Sequence, residues 1–131
     1  KEWHEKIKEE VTRKDYKGYI ETIFGRRRRL NIFQGMTEYE KEEIYRQAIN
    51  SPVQSSASDV CVNTALRIDA RLKQEGLTAK LVLLVHDELV FDTPDNEVER
   101  VKAIIVETVH KPIKGVDVEL DAEIKVVDCW F

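Results

Sequence analysis

The sequence predicts an α+β fold: a small antiparallel β-sheet whose apolar face is covered by helices. Three observations carry that expectation. Lys80 to Thr93 (KLVLLVHDELVFDT) sets two apolar, β-branched-rich runs around His86, Asp87 and Glu88, the pattern of a tight hairpin with a charged tip. Val118, Leu120, Ala122, Ile124 and Val126 alternate with Glu119, Asp121, Glu123 and Lys125, which is the period of a strand with one wet face. Several other stretches repeat their apolar residues every three or four positions, the spacing of amphipathic helices.

At the hairpin tip there is neither Gly nor Asn, although a two-residue turn needs positive φ at its centre. Of the residues present only Asp and His tolerate that. Local rules are broken most often at functional sites. Leu81, Leu83 and Val85 point one way and Val82 and Leu84 the other, so the first strand is expected to be apolar on both sides and central. The hairpin would then lift an imidazole and two carboxylates to one rim, where the carboxylates repel unless one protonates or a cation joins them.

Length and composition bound the rest. The 131 residues amount to one domain, with 35% charged and 42% hydrophobic residues. No apolar run approaches the ~20 residues of a membrane span, and no signal peptide is visible. Lys1 opens on a helical pattern already under way, as expected for a piece of a longer protein. Cys61 and Cys129 stand far apart without metal-ligand spacing, which argues against a zinc site or disulfide framework and for a reducing cytoplasm. The net charge of -4 is uneven: residues 1–30 carry ten Lys/Arg against six Asp/Glu, leaving eleven against nineteen in the remainder. An acidic protein with a basic arm can hold a polyanion locally.

In chain order, Trp3, Ile7 and Val11 form one helical stripe, with the helix ending near Gly18. Tyr19 to Phe24 (YIETIF) has strand composition, and Gly25 marks a turn before Arg26, Arg27, Arg28 and Arg29. Read alone, four arginines are a solvated turn. Their mutual repulsion beside an apolar strand is relieved best by phosphate.

Thr37 and Glu40 have capping-box spacing, so a helix is expected from there to about Ile49, burying Ile44, Tyr45, Ala48 and Ile49. Ser51, Pro52 and Gln54 read as the start of a second helix, with Ala57, Cys61, Ala65, Ile68 and Leu72 on its buried face and Gly76 at its end. Ser55, Ser56, Ser58 and Asp59 make its beginning small and polar, which lets another backbone or a ligand come close. Arg46, Asn50 and Gln54 share one face if the break between the helices is shallow; the plain alternatives are a surface ion pair, a helix-end residue and a cap. Pro94 and Asp95 open a last helix with Val98, Val101, Ile105 and Val109 inward and His110 to Pro112 at its end. Residues 112–117 are a loose connection. His4 and His110 take no role.

GYIETIFGRRRRL, RQAINSPVQSSASD and LVLLVHDELVF, in this order and at these separations, resemble three consecutive motifs of the family A DNA polymerases, the group of bacterial polymerase I. The likeness runs through nearly the whole chain and implies the C-terminal part of a polymerase palm: residues 1–36 as the helix and basic hairpin adjoining the fingers, 37–131 as palm helices and sheet. It further implies a nucleotidyltransferase of DNA replication or repair with primer-template DNA and deoxynucleoside triphosphates as partners. Asp87 matches one of two aspartates that hold catalytic Mg²⁺, Glu88 a carboxylate supporting the metal or primer end, and His86 a residue lying against the primer-terminal phosphate. Arg46, Asn50 and Gln54 match residues at the template and the minor groove of the terminal base pair, where acceptors are nearly alike for every pair.

The chain departs from the pattern at Ser55 and Ser58, where the family usually has Gly then Ala, and at Asn31 or Ile32, where it has Pro. The Gly-x-Asn-Trp ending is reduced to Asp128, Cys129 and Trp130. These differences suggest a divergent, phage-type member. The resemblance places the second aspartate, in an Asp-Tyr-Ser motif, and the nucleotide-binding fingers residues upstream of Lys1, on the same or a separate chain, so these 131 residues alone are expected to be inactive. Two other functions fit the residues: a metal-dependent phosphohydrolase using His86, Asp87 and Glu88, and a non-catalytic DNA-binding module using Arg26 to Arg29, Arg46, Asn50 and Gln54.

Overall fold

The computed structural model describes residues 2–13, 15–30, 32–33 and 35–130. The elements follow in the order α1 (Glu2–Thr12), β1 (Tyr19–Glu21), β2 (Arg27–Arg29), α2 (Glu38–Gln74), β3 (Lys80–Val85), β4 (Glu88–Asp92), a short 3₁₀ turn (Asp95–Glu97) and α3 (Val98–Val109). The class is α+β as expected, with two antiparallel pairs, β1 with β2 and β3 with β4. Two compact units divide the chain, Lys1–Asp59 and Val60–Phe131.

The first unit closes around Val11, Ile20, Leu30 and Ala48, with Ile7, Tyr16, Ile32, Ile44 and Tyr45 packed against them. Of the stripe its spacing predicts, helix α1 buries Val11 and half-buries Ile7 while Trp3 stays exposed, and the helix stops at Thr12, well short of Gly18. Its last turn is closed by the Thr12 hydroxyl, which donates to the carbonyls of Lys8 and Glu9 at 2.9 and 3.0 Å. Beyond Thr12 the helical pattern gives way to turns, with the Arg13 amide donating to the Glu10 carbonyl at 3.4 Å and the Tyr16 amide to the Arg13 carbonyl at 3.1 Å. Strand β1 also ends earlier than Phe24. Thr22 folds the chain back: its Oγ1 accepts from the amides of Phe24 and Arg26 at 3.3 and 3.1 Å, and its amide donates to the Arg26 carbonyl at 2.9 Å.

Helix α2 begins on the expected capping box. The Thr37 amide donates to Glu40 Oε2 at 2.7 Å and the Glu40 amide to Thr37 Oγ1 at 3.3 Å. The break expected at Ser51 and Pro52 does not occur; α2 is a single helix of 37 residues with Pro52 inside it. An interior proline costs about 3 kcal/mol through its missing donor and its clash with the preceding turn. Burial on both sides outweighs this: Ala48 and Ser51 are inaccessible just before it, and Ala65, Ile68 and Leu72 beyond it. Ser51 is therefore a buried helical residue instead of a cap. The helix ends as Gly76 predicts, with that glycine at φ of 69°. Leu77 N–H donates to the Leu72 carbonyl and Gly76 N–H to that of Lys73, at 3.0 and 3.2 Å, the paired bonds of a Schellman ending.

In the second unit Ile68 and Leu72 of α2, Ala79, and Val101 and Ile104 of α3 form the core, with Leu77, Leu89, Phe91 and Ile105 around them. Ile104, ahead of Ile105, is the fully buried residue of α3, and the helix proper starts at Val98 after the 3₁₀ turn. Glu97 fastens the start of β3: its carboxylate accepts from the amides of Thr78 and Ala79 and from the Thr78 hydroxyl, at 2.9–3.0 Å. Those donors hold its carboxyl below the usual range.

Two sheet expectations are corrected. Residues 118–126 form no strand, so the sheet expected to have three strands has two. Alternation marks which face of an extended segment could be buried, while a strand also needs a neighbouring edge with which to exchange backbone hydrogen bonds. Nor is β3 central: it pairs with β4 alone among the described residues, and Val82, Leu83 and Leu84 are exposed. The register slips between Leu81 and Leu83, a bulge that sends the middle of β3 outward.

Candidate functional site

The charged hairpin tip is formed as its sequence requires. Val85 pairs with Glu88, so His86 and Asp87 are the two turn residues. His86 takes φ of 56° and is the sole described non-glycine residue with positive φ. All three ionisable side chains are exposed. Glu88 Oε1 accepts from the Trp130 indole N–H at 3.4 Å. On the inner side, Cys61 of α2 lies close enough to feel the Asp87 carboxylate; burial first and that charge second push its thiol pKa up. A protonated, sheltered thiol is a poor metal ligand and a poor nucleophile.

Asp87 and Glu88 offer the oxygen donors that a hard cation prefers, and Mg²⁺ usually takes one or two protein carboxylates. The fit is partial. No group of three or more His, Cys, Asp or Glu able to hold a metal occurs among the described residues. Adjacent carboxylates on one turn furnish one side of a coordination sphere and leave the rest to water, substrate or other protein groups.

Within the first unit, uninterrupted α2 places Arg46, Asn50 and Gln54 at four-residue spacing on one exposed stripe. Positions i and i+4 are neighbours on a helix surface, so the shared face depended on Pro52 not breaking the helix, and it does not. Asn50 and Gln54 both lie inside the helix, away from its ends, and all three side chains are exposed.

The four arginines do not behave as one patch. Arg26 Nε is 2.9 Å from Asp59 Oδ1, and its Nη2 donates to the Ser55 carbonyl at 2.8 Å. Arg27 Nε meets Glu21 Oε1 at 2.6 Å, with its guanidinium 4.5 Å from the centre of the Tyr19 ring; the Glu21 hydrogen bond raises its pKa further. Arg28 reaches Gln47 Oε1 at a long 3.4 Å. Arg29 makes no ion pair among the described residues. All four are exposed, and the last two have guanidinium donors to spare.

The small polar stretch on α2 accommodates a backbone, as its composition suggested. Ser56 Oγ accepts from the Ile23 amide at 3.2 Å, bringing the β1–β2 turn onto the helix. Asp59 is the residue that sequence reasoning missed as a partner. Its signal was an acid one turn beyond Ser55, on the helix that a run of four arginines had to face. Asn31, one of the two positions considered for the missing proline, lies outside the described residues.

The family description "DNA polymerase family A" matches residues 1–131. The thermostable DNA polymerase I of Thermus thermophilus is 36% identical over 129 residues, 98% of this chain and 15% of that protein. DNA polymerase I B of chloroplasts and mitochondria from Arabidopsis thaliana is 34% identical over 134 residues, 100% of this chain and 12% of that protein. Among solved structures, the POL domain of Pol1 from M. smegmatis, in complex with DNA primer-template and dNTP, superposes with a TM-score of 0.77 at 31% identity, covering 92% of this chain and 20% of that one. The chain therefore spans about an eighth to a fifth of the relatives it matches. It belongs to DNA polymerase family A.

Proposed function

We propose that these residues are the palm segment of a template-directed DNA polymerase that adds deoxynucleotides to a primer 3′ end by two-metal-ion chemistry. The observation that carries the reading is the His86-Asp87-Glu88 tip, two carboxylates and an imidazole on a turn that bends against residue preference, in a chain of this family. Asp87 is the metal-holding carboxylate in this proposal and Glu88 its support. Bound Mg²⁺ would lower the pKa of the attacking hydroxyl and neutralise charge on the leaving pyrophosphate. His86 bears on the primer-terminal phosphate. Arg46, Asn50 and Gln54 present donors along one helix face to the minor groove of the terminal base pair, where near-uniform acceptors let them test pair shape without reading sequence. Arg28 and Arg29 meet backbone phosphate.

The partial donor set supports a further point: the remaining ligands and the nucleotide-binding residues come from elsewhere in the polymerase, and the 131 residues alone extend no primer. Single-turnover incorporation by a complete polymerase carrying this segment tests the reading. Asp87→Asn should lower the rate of nucleotide addition by orders of magnitude while primer-template affinity stays within a few-fold. A near-parental rate would remove the tip from the metal site.

A further inference from the structure

Two arginines of the basic hairpin are paired to carboxylates, Arg27 within the hairpin and Arg26 to helix α2, and Arg26 has surroundings unlike those of a phosphate ligand. Arg26 spends Nε on Asp59 and Nη2 on the Ser55 carbonyl. Asp59 is the sheltered partner, 22% exposed against 54% for Arg26, and its Oδ2 is buried without a hydrogen-bond partner. An ionised carboxylate in that position depends on the cation at its other oxygen, because a buried charge left unpaired is strongly unfavourable. Ser56 adds a second fastening three residues from Asp59, through the Ile23 amide.

We propose that Arg26 is a positioning residue, locked by Asp59 and the Ser55 carbonyl so that the β1–β2 turn is docked on α2 beside Gln54 and Arg28 and Arg29 are presented to DNA. The inference rests on the polymerase reading of the hairpin. It assigns Asp59, an acid that would ordinarily repel nucleic acid, a favourable effect on DNA affinity exerted through Arg26. The two possible roles of Arg26 predict opposite signs. If Arg26 were a phosphate ligand, neutralising Asp59 would free it, tighten binding and steepen the salt dependence. If Arg26 is positioned by Asp59, the same change loosens the hairpin and weakens binding.

The experiment measures primer-template affinity against salt for a complete polymerase carrying this segment, well below its unfolding midpoint, with thermal unfolding recorded alongside. Asp59→Asn and Arg26→Ala should each weaken binding several-fold with the log–log salt slope unchanged, and the double variant should be no weaker than the worse single. Arg29→Ala should flatten the slope by about one unit. Tighter binding or a steeper slope in Asp59→Asn overturns the proposal, as do unchanged affinity in the folded single variants, additive losses in the double, or a flatter slope in Arg26→Ala. An unchanged slope and affinity in Arg29→Ala overturns instead the reading of the hairpin as a DNA contact, whatever Arg26 does.

Discussion

The two hairpins solve the same geometric problem with opposite chemistry. At β1–β2 the positive φ of the turn falls on Gly25, at 80°, and the charge sits in the following strand as arginines. At β3–β4 it falls on His86, and the charge sits in the turn itself. Glycine adopts that region without strain, whereas a side chain there costs about 1–2 kcal/mol. The basic hairpin is thus conformationally cheap and is held by side chains from α2. The acidic one keeps a strained residue at its apex, with Leu89 and Phe91 of β4 packed on the core to hold it. On the proposed function the contrast is a division of labour: a surface that grips a polymer tolerates side-chain adjustment, while a tip that places carboxylates needs its backbone fixed.

That contrast can be broken most sharply through rate and affinity. Glu88→Gln should reduce single-turnover incorporation in the same direction as Asp87→Asn but by less, with DNA affinity little changed. Replacing Arg28 and Arg29 together by Ala should do the reverse, flattening the salt slope by about one to two units while the rate at saturating DNA stays near parental. A double arginine variant that loses rate and keeps its slope would erase the distinction.

The backbone difference predicts a smaller, mirror-image pair. Gly25→Ala should destabilise by about 1–2 kcal/mol, all of it conformational, since nothing lies within 4 Å of a Cβ built there. His86→Gly should leave thermal stability equal or raise it by up to about 1 kcal/mol, while His86→Val should lower it by about 1–3 kcal/mol. Equal responses at the two turns, read by denaturant titration, would show that His86 is not strained.

The smallest effect concerns pH and lies at the other end of β3. The Glu97 carboxyl is held below its ordinary value of 4.5, first by the Thr78 amide, so ionised Glu97 favours the folded state. Its contribution is complete above the unfolded value and is lost as pH falls through the lower folded one. Glu97→Gln should therefore destabilise at neutral pH and make the unfolding midpoint less sensitive to acid. Parallel acid profiles for parent and variant would contradict that linkage.

Features with their own local chemistry were legible in the sequence. Thr37 and Glu40 announced the start of α2, Gly76 its end, and the missing Gly at the hairpin tip pointed to His86 and Asp87. Ser51, Pro52 and Gln54 misled because an N-terminus and a tolerated interior proline have the same local composition; only the burial on either side distinguishes them. The alternation at 118–126 was equally real and equally insufficient, since residue order does not reveal an available edge. Asp59 escaped notice for a related reason. Its partner lies 33 positions away, and no periodicity links them.

Cys61 and Cys129 differ in a way that has practical value. Cys61 is half-buried, with its thiol held protonated beside Asp87, while Cys129 is exposed near the other end of the unit's sequence. Thiol-directed reagents act on the thiolate, so at neutral pH a maleimide dye should attach to exposed Cys129 before half-buried Cys61. Within these 131 residues Cys129 is therefore the favoured labelling position, and a fluorophore there could report on neighbouring Trp130 and its Glu88 contact.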